Sequence, residues 1–217
     1  MKEEDITIVD NYKDLILGDY LDILNIDRDK SLDEVDRQVK TISILTGKSE
    51  DFILDLPILK YQELSAKIQF LHDDLPSEVS RLADSYKIGE FDLIPVTDMR
   101  KVITAQYIDF QTFHQAGMEE HFVEILSCLL VPRGKKYCQD YDILEVQSAI
   151  RGGLSVHDAA SLYAFFMISC RESIRDILIF SLQEAKKIQD KVERERRMAQ
   201  IQMQITLLQT NGDGSPM

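Results

Sequence analysis

No apolar run in this 217-residue chain approaches the roughly 20 residues that a membrane helix needs. Cysteine is scarce. Cys128, Cys138 and Cys170 make no metal-type pair and cannot all pair within one chain, which points to a reducing compartment such as the cytoplasm. Basic side chains are short at the front. Residues 1–100 hold 12 basic and 23 acidic residues, a net of −11 out of −13 for the whole chain. Neutralising duplex phosphates takes a Lys/Arg excess, so direct duplex DNA binding is not expected, whereas a basic protein partner fits. The opening, MKEEDITIVD, is acidic and lacks a signal-peptide core. What is present is 44% apolar and 29% charged residues, the balance of a soluble globular chain with a real core.

The chain is organised around residues 41–71. An apolar helical run ends at Thr46, and Gly47 suits the left-handed position after a helix. Ser49 is a candidate N-cap for a short second helix carrying Phe52, Ile53 and Leu56. Pro57 suits the start of a third, with Ile58, Tyr61, Leu64, Ile68 and Leu71 as its stripe. Upstream, residues 5–9 (DITIV) read as a short strand, and helical pattern begins after Gly18. Ser31 and Glu34 read as a capping box for a helix running to about Leu45. Residues 86–96 read as a β-hairpin with Gly89 in its turn. A second helical half follows, with an apolar helix at 119–131 closed by Pro132, and a short helix from Asp142 to Ile150. Leu154 to Asn211 contains no Gly or Pro, which predicts either two helices or one that projects.

The predicted fold is therefore mainly α. Two related helical units (1–75 and 99–170) flank a hairpin connector (76–98), with a long C-terminal helix (171–211) and a disordered tail (212–217). The relation between units rests on an offset of 87, which sets Tyr20 on Tyr107 and Gly47 on Gly134; Leu56-Pro57 then matches Leu154-Ser155 at an offset of 98.

No motif points to a reaction. Gly47-Lys48-Ser49 is not a phosphate loop, because Ile42 stands where that loop needs glycine and a helix precedes it. His114 and His121 are seven apart and share a helix face in this reading, with no carboxylate or Cys completing a ligand set. Catalytic, cofactor-binding and metal-binding residues are all expected to be absent. Candidate partner-binding residues are of two kinds. Arg133, Lys135 and Lys136 form a small basic patch suited to an acidic partner. At the C-terminus, Ile174, Leu178, Ser181, Ala185, Ile188 and Val192 make one stripe, and Met198, Ile201, Ile205 and Leu208 a second, one position out of register. Between them, residues 184–197 hold ten charged side chains of fourteen, with Asp190/Arg194 and Glu193/Arg197 at i,i+4. The first stripe suits the chain's own domain, and the second suits another chain.

The run ILTGKSED, with LDLP and Tyr61 and Leu64 beyond it, resembles the small tail assembly chaperone-type proteins of tailed bacteriophages. In those a helix ends in Leu-Thr-Gly, and a short helix and a Leu-Pro or Leu-Ser start follow. The likeness spans roughly residues 15–71. A second pattern is Ile103 to Gln111 (ITAQYIDFQ), then Pro132 to Tyr137 (PRGKKY) and Tyr141-Asp142. It is similar to uncharacterised structural-module proteins of Bacteroidetes phages. The length and the C-terminal helix depart from the small chaperones. The resemblance implies a non-enzymatic virion-morphogenesis protein, tail assembly chaperone-like. It would bind other phage structural proteins or copies of itself in the host cytoplasm, without cofactor, membrane or duplex nucleic acid. The alternatives are a structural or packaged component of the mature virion, and an unrelated cytoplasmic enzyme or regulator, which no motif supports.

Overall fold

The computed structural model describes residues 6–73, 75 and 82–210, with backbone alone for 207–210. The chain is mainly helical, with a small antiparallel sheet. It divides into two compact units, one of Met1–Val96 with Val102–Ala164, the other of Thr97–Lys101 with Phe165–Met217. The two halves expected to be separate thus lie together in the first unit, and the division falls inside a helix. The tail expected at 212–217 is outside the described residues.

The first unit opens with residues 6–9 outside any helix or strand, where a strand was expected over 5–9. Ile6 and Ile8 are buried, as the pattern requires, but no strand among the described residues pairs with them. Helix α1 (Leu17–Arg28) follows. Its entry is clasped by a distant segment: Leu17 N–H donates to Leu154 O at 2.8 Å, Val156 N–H to Leu15 O at 2.9 Å and His157 N–H to Tyr12 O at 3.0 Å. Helix α2 (Glu34–Thr46) is capped by Asp33, whose side chain accepts from Asp36 N–H, and not by Ser31. Ser31 donates instead to Asp29, so the capping role falls to the acid directly ahead of the helix.

The organising stretch follows its sequence signals. Gly47 ends α2 at φ 65, and Ser49 caps α3 (Glu50–Leu54) by accepting from Phe52 N–H at 3.3 Å. Pro57 caps α4 (Ile58–Lys67), which tightens into a 3-10 turn over Ile68–His72.

The hairpin is β1 (Tyr86–Ile88) and β2 (Phe91–Pro95), with Gly89 at φ 58 in the turn. A third strand, β3 (Leu130–Pro132), pairs antiparallel to β2 with Leu93 opposite Pro132 and Pro95 opposite Leu130. It takes over the end of the apolar helix expected at 119–131. Helix α6 (Phe122–Leu129) stops early because β2 supplies the hydrogen bonds that another helical turn would have made. Helix α5 (Thr104–Ala116) precedes it, and α7 (Ile143–Gly153) follows, capped by Asp142.

Two apolar clusters fill this unit. One gathers Leu15, Ile23, Val39, Ile42, Leu45, Ile53 and Leu64 from the front of the chain, closed by Val156. The other gathers Ile88, Leu93, Phe122, Leu126, Leu130, Val146 and Ile150 around the sheet, closed by Leu17. Helix α1 therefore contributes to both. In the suggested repeat, Tyr20 and Tyr107 each occupy the fourth residue of their helix, but Gly47 ends a helix and Gly134 follows a strand. The glycine pair does not superpose as the repeat predicts.

The long glycine-free stretch is two helices, α8 (Val156–Ala185) and α9 (Lys191–Thr210). The break between them needs no glycine, because Asp190 caps α9 by accepting from Glu193 N–H at 2.8 Å. Arg194 does not reach along the helix to Asp190 but donates back to Ile188 O.

Candidate interaction surfaces

Arg133 does not belong to a free basic patch. Its Nε lies 2.5 Å from Asp92 Oδ2, a pair that ties β2 to the residue after β3. The Arg133 hydrogen bond, with help from Ser85, holds the Asp92 carboxyl below its usual range. Lys135 and Lys136 do stay exposed on the following loop.

That loop is tied down from within. Its backbone turns at positive φ at Gly134, Cys138 and Asp140, two of which are not glycine. Buried Tyr137 donates its hydroxyl to Asp109 Oδ2 at 3.0 Å and touches Cys128 Sγ at 3.3 Å. Gln106 donates to the Cys128 carbonyl at 2.6 Å. Burial pushes the Cys128 thiol up to about 12, so it carries no thiolate at neutral pH. Burial also pushes the Tyr137 phenol far up, and the Cys128 hydrogen bond adds to this. The network joins α5, α6 and the loop and presents no activated nucleophile.

The two histidines do not share a helix. His114 lies on α5 and stacks on Phe110 and Tyr163, with Nε2 3.0 Å from the Tyr163 hydroxyl. His121 lies past Gly117, at the start of α6. Among the described residues, no group of three or more His, Cys, Asp or Glu is placed to hold a metal ion. Lys48 sits 5.4 Å from the Phe52 ring, so the Gly47-Lys48-Ser49 segment is a helix–helix junction.

The C-terminal seam also turns out differently. Ile201 is 7% exposed within this single chain, and Met198 and Ile205 are half-buried, where an open face toward another chain was expected. The Leu208 side chain is outside the description. The open apolar residues lie elsewhere. On α8, Ile177 is 63% exposed and Phe180 61%, with Ile174 and Ile179 also open. Where α3 meets α4, Leu54, Ile58 and Leu59 are open. The signal for both was density: the runs ILDLPIL and DILIF hold more aliphatic side chains than one helix face can turn inward.

Compared with protein-family models, curated proteins and solved structures, the chain matches none. No helix among the described residues is long and apolar enough to cross a membrane.

Proposed function

We propose that this chain is a non-enzymatic virion-morphogenesis protein of a tailed phage, tail assembly chaperone-like, that binds other virion proteins through helical surfaces. The observation that carries the binding role is the open face of α8. Ile174, Ile177 and Phe180 recur at three-residue spacing on a helix in water. Burying each large apolar side chain contributes roughly 1.5–3 kcal/mol, and helix-to-groove docking is the ordinary use of such a row. The phage assignment rests on the likeness of residues 15–71 and 103–142 to phage proteins.

The test is cross-linking and capture from infected host cells, comparing the native chain with Ile177→Asp/Phe180→Asp. Capture of a tail protein by the native chain, lost in the variant, together with absence of the chain from purified virions, supports the chaperone role. A fixed copy number in virions favours the structural-component alternative instead. Capture that ignores the substitutions, or that brings down no virion protein, overturns the proposal.

A further inference from the structure

The corner between α3 and α4 lies wholly within the first compact unit and turns apolar side chains outward. On α3, Ile53 is buried. With roughly 3.6 residues per turn, Glu50, Asp51, Leu54 and Asp55 fall on the side away from it, and all four are exposed. On α4, Leu64 and the following Ile68 mark the inward side, and Ile58, Leu59, Gln62 and Ala66 fall opposite them, again all exposed. Leu54, Ile58 and Leu59 are 64%, 66% and 77% exposed.

The border of this surface is acidic. The cations near it are engaged: Lys40 is held by Glu50 at 2.8 Å, Lys60 and Lys67 reach Glu63 at 2.8 Å and 3.5 Å, and Lys48 lies over the Phe52 ring. Asp51 and Asp55 have no ion pair among the described residues. The like corner of a second copy would set carboxylates against carboxylates, and phosphate-bearing surfaces, whether lipid or nucleic acid, are repelled in the same way. A segment that carries both apolar side chains and cations meets both demands of the corner.

We infer that the α3–α4 corner docks a basic amphipathic segment of a partner protein, one in which Lys or Arg borders large apolar side chains. The partner's apolar side chains cover Leu54, Ile58 and Leu59, and its cations meet Asp51 and Asp55. The inference rests on exposure, spacing and charge within one unit. It stands apart from the phage reading and from the row on α8.

Fluorescence anisotropy on the full-length chain tests it, with a labelled helical peptide of repeated Leu-Lys-Lys-Leu as the probe. Saturable binding is expected, weakening with added salt, and the same peptide with Glu in place of Lys should not bind. Asp51→Asn/Asp55→Asn should weaken the probe by at least about threefold. Leu54→Ser/Leu59→Ser should weaken it by at least about tenfold. Both variants change exposed positions and should keep the native circular dichroism. Glu90→Gln/Glu145→Gln, the same loss of charge at two exposed sites elsewhere in the first unit, should leave the affinity unchanged. Hydroxyl-radical footprinting should find Leu54, Ile58 and Leu59 reactive in the free chain and protected by the probe. Lack of saturable binding overturns the inference, and so does binding that ignores the corner substitutions or falls equally in the Glu90/Glu145 variant. Protection of the three apolar residues in the free chain also overturns it, since the chain or a second copy would then cover the corner.

Discussion

Two neighbouring glycines in α7 separate steric need from helix propensity. A Cβ at Gly152 would meet nothing within 4 Å, so Gly152→Ala should stabilise by about 0.5–1 kcal/mol through the lost entropy of the unfolded chain. A Cβ at Gly153 would overlap Ile88 Cγ2, on a buried, β-branched side chain that cannot rotate away cheaply. Gly153→Ala should therefore destabilise by about 1–3 kcal/mol. Thermal melts of the two variants should move in opposite directions; a shared direction would mean that the close approach is not a constraint. The cysteines divide as sharply. Cys138 is exposed, while Cys128 and Cys170 are buried, their thiols pushed up to about 12 and about 11 by burial. Alkylation of the native protein near neutral pH should add one label, mapped to Cys138 by mass spectrometry. The other two should react only after denaturant is added.

Among the elements, the cap of α2 offers the clearest measurement. Asp33→Ala removes the acceptor for Asp36 N–H and should cost about 1 kcal/mol. Ser31→Ala removes only an exposed bond to Asp29 and should cost less than half of that by urea denaturation. Equal losses would return the cap to Ser31. The same helix shows what was legible. Gly47, Ser49 and Pro57 act locally, and their roles followed from residue type alone. The Ser31 box failed because Asp33 competes for the same N–H groups two residues nearer the helix, and pattern does not rank two competent caps. Strand β3 was hidden because Leu130–Pro132 is apolar under either helix or strand periodicity, and only the open edge of β2, some 35 residues earlier, decides between them. Two helices were one of the two readings of residues 154–211, but the place of the α8–α9 break was not legible, since no Gly or Pro marks it and Asp190 caps α9 through its side chain. For the candidate surfaces, spacing found the α9 seam correctly but assigned it to the wrong environment. Periodicity shows which residues share a face and not what covers that face.

For the molecule as a whole, buried acids set the behaviour in alkali. Tyr20, Tyr86, Tyr137, Tyr141 and Tyr163 are all raised above 10.0, with burial the largest cause in each, and Cys128 and Cys170 are raised above 9.0. The unfolded chain releases these protons first, so between the unfolded and folded values the native state binds more of them, and stability falls as pH rises. The contribution is fully present below about pH 9 and is lost progressively above it. The melting temperature should hold between about pH 7 and 8 and drop by several degrees by about pH 10.5. A flat profile would show that these side chains are better hydrated than their burial indicates. The clasp of residues 12–17 on residues 154–157 bears on how the chain is made. A ribosome delivers the first strip of that contact about 140 residues before its counterpart. Loop closure over that span costs only about 0.6 kcal/mol more than over half of it, so the delay is one of time and not of equilibrium. Through most of synthesis, Leu15 and Leu17 wait without their partners, and both apolar clusters lack a member. The front of this protein can be translated early, but it can be finished only when α8 emerges.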